Sequence, residues 1–163
     1  MGTYNQIALM QYSTIEKELI ANAAITPGML IERMSTNKVR AHATAAGNVI
    51  PIMFALENEA EGETIDDAYA AADRVRIGIF NAGDEVYAIL ADGQTIAIGD
   101  PLESNGAGYL QKHVPDVTDN SDAETTVYTR SIVGVALEAK TLSGSEDSSG
   151  GLGMDQRIKI EIV

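Results

Sequence analysis

The feature that most constrains this chain is a train of short apolar segments, each opened by a glycine turn. It runs through "GDEVYAILADGQTIAIGDPLESNGAGYL" (83–110), "SIVGVALEAK" (131–140) and a closing "RIKIEIV" (157–163). Gly supplies positive φ without a Cβ clash, and Asp or Asn closes a turn with a local hydrogen bond, so Gly-Asp, Asp-Gly and Asn-Gly steps reverse the chain with little strain. Short segments so punctuated suit a compact barrel or sandwich. The expected fold is mainly β: a small β-barrel or β-sandwich-like domain of short strands with Gly-Asp turns, an N-terminal arm and at most one short helix near 64–73. Nothing in the train has the form of a reaction centre.

The chain has 163 residues, enough for one domain with a real core plus an arm or long loop. Residues 1–14 read as an N-terminal arm or first strand, and 15–163 as a single β-rich domain. Apolar residues make up 45% of the chain, but Phe54 and Phe80 are its two phenylalanines and there is no Trp. The interior must therefore be aliphatic, without the rigid aromatics that line many ligand pockets. A formal charge of −13, from 24 acids against 11 bases, repels a phosphate backbone and argues against nucleic acid as a partner. With no Cys there is no disulfide framework, thiolate metal site or thiol nucleophile. No run approaches the ~18 apolar residues of a membrane span, and the first residues lack the basic start of a signal peptide, so a protein made and assembled inside a cell is expected.

Several segments carry their own pattern. Pro27-Gly28 reads as a type II turn, with "MLIERM" leaving it and "KVRAHATAA" (38–46) returning across Ser35-Thr36-Asn37 as a hairpin. In "NVIPIMFALEN" Pro51 cannot donate to a ladder, which places it on an edge, at a bulge or at a strand's start. "RVRIGIF" (74–80) alternates, with Val75, Ile77 and Ile79 on one face and Arg74 and Arg76 on the other. Gly83-Asp84 and Asp92-Gly93 read as hairpin turns around "EVYAIL" and "QTIAI". "SIVGVALEA", apolar on both faces, reads as a central strand, with Gly134 where another group comes close. In the last strand Ile158, Ile160 and Ile162 oppose Arg157, Lys159 and Glu161. Acidic loops are expected at 57–67 and 115–126, and a flexible Ser/Gly loop at 143–153.

Chemistry-bearing residues are sparse. His42 and His113 are far apart, and neither has a second ligand at metal spacing. Asp116, Asp119, Asn120, Asp122 and Glu124 form an oxygen-rich stretch, but the Gly and final Glu of an EF-hand are out of register. Phosphate loops and nucleophile elbows are absent. No catalytic, cofactor-binding or metal residue is assigned, and an enzyme is not expected.

The succession "DRVRIGIFNAGDEVYAILADGQTIAIGDPLESNGAGYL", then "SIVGVALEA", a Gly-rich gap and a short alternating strand, resembles the decoration (cement, head-stabilising) proteins of tailed-bacteriophage capsids. It rests on Gly83-Asp84, Gly93, Gly99-Asp100, Leu102, Gly108, Gly134 and Ala136-Leu137-Glu138, over roughly residues 70–163. The resemblance implies a homotrimer on the capsid exterior that bridges neighbouring major capsid proteins. It implies anchoring through the N-terminal arm, which nominates Tyr4, Ile7, Leu9, Met10 and Tyr12. Arg33, Lys38 and Arg40 are further candidates for meeting an acidic capsid surface. No nucleic acid, membrane or cofactor is expected. The competing readings are a carbohydrate- or host-surface-binding β module, disfavoured by the lack of Trp, a metal-assisted hydrolase, and another virion component such as a head-fibre base.

Overall fold

The computed structural model of the chain describes residues 4–11, 15–115, 130–144 and 156–163. Strands β1 (Ala8–Met10), β2 (Ile15–Ala21), β3 (Leu30–Arg33), β4 (Lys38–Ala41), β5 (Met53–Ala55) and β6 (Arg74–Ile79) come first, with a 3-10 turn at Glu59–Glu61 between the last two. Strands β7 (Glu85–Ile89), β8 (Thr95–Ile96), β9 (Pro101–Ser104), β10 (Leu110–Lys112), β11 (Ile132–Ala136), β12 (Lys140–Thr141) and β13 (Arg157–Ile162) follow. The fold is mainly β, as expected.

Strands β2, β4, β3, β5 and β6 close into a barrel, β6 pairing back onto β2 over six residues from Ile15↔Ile79 to Ile20↔Arg74. Only the β2–β4 contact in it is parallel. The other large unit is an antiparallel sheet in the order β1-β7-β13-β11-β9-β10. It curls, because a bridge between Leu90 and Leu110 returns β10 to the end of β7. Strands β8 and β12 form a separate pair.

Two cores follow from the alternation of side chains. Val75 and Ile77 of β6, Val39 of β4 and Ile31 of β3 fill the barrel, while Ile158, Ile160 and Ile162 of β13 pack with Val86, Leu102 and Val133 in the sheet. β3 and β5 serve both: Ile31, Met53 and Ala55 face the barrel core, and Leu30 and Phe54 face the other. A strand buried on both faces is apolar throughout, which accounts for the run Met53-Phe54-Ala55-Leu56. On the outer side Arg74 and Arg76 pair with Glu18 and Glu16 of β2. β11 is central, flanked by β13 and β9, and a Cβ on Gly134 would lie 2.6 Å from the Glu161 carbonyl oxygen.

Two sequence expectations change. The Gly83-Asp84 turn is not a hairpin: β6 stays in the barrel and β7 pairs with β1 and β13. Likewise β8, beyond Asp92-Gly93, pairs with β12 and not with β7. Turn chemistry reverses the chain, but distant apolar partners choose the ladder. Residues 64–73 form turns, with Tyr69 bridged to Ile25, which the expectation of at most one short helix there allows.

The Gly-Asp steps instead belong to a recurring device. At 64–67, 70–73, 81–84 and 97–100 the first residue's N–H donates to the carboxylate of the Asp three residues on, at 2.7–2.8 Å. The Asp N–H in turn donates to the first residue's carbonyl. Positive φ at the third position, 92° at Gly83 and 88° at Gly99, is where Gly is needed. Ala72 takes that position at 75°. The main-chain and hydroxyl donors of Thr64 hold the Asp67 carboxyl below its usual range, and Lys112 together with the Ala97 N–H does so at Asp100.

Two outcomes follow. Gly134→Ala forces its methyl against main chain and should lower stability by about 1–3 kcal/mol in urea melts. The depressed pKa of Asp100 supplies stability that is present above the ordinary carboxylate pKa of ~4 and is lost as pH falls through the folded-state value. Asp100→Asn should therefore be less stable than the parent at pH 7, with the gap closing in melts at about pH 3.

Candidate functional site

The described part of the N-terminal arm is folded down as β1. The Ile7 side chain is wholly buried, its N–H donates to Glu57 Oε2 at 3.1 Å, and its carbonyl accepts from Tyr87. Glu57, expected in a solvated acidic loop, is thus a buried acceptor that fastens the arm. Tyr4 stacks edge-on against Tyr87 at 5.2 Å between ring centroids, and the Lys159 ammonium lies 6.0 Å from the Tyr4 ring centroid. Lys159 is held in its charged form, its pKa raised by the 2.6 Å pairing with Glu85. Leu9 is half-buried against the core, Met10 is exposed, and Tyr12 lies outside the described residues.

Arg33, Lys38 and Arg40 share the β3–β4 hairpin, the reversal expected at Ser35-Thr36-Asn37. Arg40 is matched by Glu32 at 2.7 Å, whereas Arg33 reaches only the Asn37 side chain. Lys38 has no carboxylate partner among the described residues. The hairpin thus presents two unneutralised cations.

Both histidines are tied into the scaffold. His42 is buried, with Nδ1 2.8 Å from Ser104 Oγ and Nε2 3.2 Å from the Asn48 carbonyl. That carbonyl can only accept, so Nε2 carries the proton and Nδ1 accepts from Ser104, which itself accepts from the Gly106 N–H. Ser104 is wholly buried, so this Ser-His pair has no route to a substrate. His113 meets the buried carboxylate of Glu103 at 2.5 Å. Arg157, expected on the polar face of β13, is buried instead and donates to Asp66 at 2.7 Å and to the Pro27 and Ile65 carbonyls. Its partners come from two separate loops, which no local pattern announces. Among the described residues no group of three or more His, Asp or Glu is placed to hold a metal ion. The calcium-like stretch from Asp116 and most of the Ser/Gly loop lie outside the described residues.

The fold also creates a concavity that the sequence reading did not identify. A groove of about 790 Å³ opens where the barrel meets the sheet, lined by 49–52 before β5, 79–82 after β6, His113, 130–132 entering β11, and Val163. Its floor includes Phe80, held by an edge-on contact with Phe54 at 5.8 Å. Ile50, Ile132 and Val163 are exposed around it, Ile50 by 65%. Ile132 is exposed in a strand whose two faces both read as core, so no local signal marked it.

The fastening of the arm is testable. Glu57→Ala leaves the Ile7 N–H without its partner and should cost about 1–3 kcal/mol. Amide exchange at 7–10 should accelerate more than exchange in β11 and β13; equal protection throughout would contradict this role for Glu57.

No known family profile matches the chain, and no curated protein matches it. Among solved structures, the head fiber gp8.5 N base in bacteriophage phi29 has a similar fold, with a TM-score of 0.52 over 93% of this chain and 95% of that one. The two sequences are 12% identical, so the likeness is one of fold.

Proposed function

We propose that this chain is a non-enzymatic structural protein of a phage virion, which binds the capsid exterior and stabilises contacts between major capsid proteins as a homotrimer. The observation that carries this is the likeness to the phi29 head-fiber base, which extends over nearly the whole of both chains. The burial of the Ser104–His42 pair fits a structural role for these two residues, which spend their hydrogen bonds on the scaffold. Spreading a modest contact over many symmetry-related copies would give firm attachment through avidity. The same likeness favours a second reading, that the chain is the base of a projecting head fiber and contributes attachment without reinforcing the shell.

The test is co-sedimentation of the purified full chain with cognate capsids that lack surface proteins, alongside light scattering and capsid melting. Binding by a trimer, with a rise in the capsid melting temperature, is the expected result. Binding without a rise would favour the fiber base. A chain that leaves the capsids in the supernatant would refute both.

A further inference from the structure

We infer that the groove between barrel and sheet is the capsid-contacting site, and that it takes an extended segment of a capsid subunit presenting an apolar side chain beside a carboxylate. This assignment rests on the capsid reading above and adds the surface and the chemistry of its partner. The groove has the make-up of a recognition site: polar and apolar surface in nearly equal parts, with Ile50, Phe80 and Ile132 beside Asn81, His113, Arg130 and Ser131. Its volume of about 790 Å³ is on the scale of sites that enclose a few residues.

Charge decides what can enter. Among the described residues no Asp or Glu side chain lines the groove. The Arg130 guanidinium, the Ser131 hydroxyl and the Asn81 amide have no hydrogen-bond partner among the described residues, only the main-chain N–H groups of Arg130 and Asn81 being engaged. A guanidinium, an amide and a hydroxyl all offer donors, so a ligand rich in acceptors is matched and a basic one is repelled. A single free cation among the described lining residues is too little to hold a nucleic-acid backbone against a net charge of −13. Ile50 and Ile132 at the rim supply the apolar contact that such a segment needs to leave water.

The experiment is capsid co-sedimentation of the full chain carrying Ile132→Asp or Arg130→Glu. Ile98→Asp and Lys17→Glu, exposed positions away from the groove, serve as controls of matched chemistry. Unchanged melting temperatures establish that each variant folds. Each groove variant should weaken binding by about tenfold or more, while the controls stay within about twofold of the parent. If the parent binds and both groove variants bind equally well, the groove assignment is overturned and the capsid reading stands. If the parent itself does not bind, both fall together.

Discussion

The structure depends on a wall that faces two ways. β3 and β5 put Ile31, Met53 and Ala55 into the barrel and Leu30 and Phe54 into the sheet's core, so neither core is closed without the same seven residues of backbone. Successive side chains on a strand point to opposite faces, and burial of both leaves Leu30-Ile31 and Met53-Phe54-Ala55 without a polar position, whereas Glu32 and Arg33 carry the end of β3 out towards solvent. The groove is a by-product of this sharing. The segments entering β5 and leaving β6 stand at the wall's end, and the starts and ends of sheet strands meet them there. A contact made in that groove touches both units at once.

Much of the fold was legible because alternation is a local signal. Val75 and Ile77 inward against Arg74 and Arg76 outward, the isoleucines of β13, the hairpin around Asn37 and the crowding at Gly134 all appear where the pattern puts them. What the sequence hid is non-local. Gly83-Asp84 has good hairpin chemistry, yet it carries the chain from one unit to the other, because β6 is already paired on both edges, with β2 and β5, while the distant β13 pairs with β7 over five residues. Arg157 looks like an outward residue until the Pro27 and Ile65 carbonyls and Asp66 are brought around it from far away in the chain. The groove was hidden for the same reason: its walls come from five separate stretches, none of which is unusual alone.

The high acid content also has a structural share. Asp67, Asp73, Asp84 and Asp100 each close a turn through a main-chain N–H, and Glu57 secures the arm. A carboxylate bonded to an amide does work that Asn does less well, since a charged acceptor makes a shorter and stronger bond. Net charge alone suggested avoidance of nucleic acid. The geometry shows that several of the same charges are turn closures, so composition understated what each acid does.

The order of strands along the chain has a kinetic consequence. All five barrel strands lie within residues 15–79, so the barrel can close as soon as that stretch has left the ribosome. The sheet cannot, because β13, at residues 157–162, sits between β7 and β11 and holds them apart in the ladder. Until it arrives, β7 exposes an unpaired edge and an apolar face, the combination that invites pairing with another chain. Long-range pairing of this kind is slow, and the last strand is therefore both the latch of the sheet and the step at which synthesis competes with aggregation.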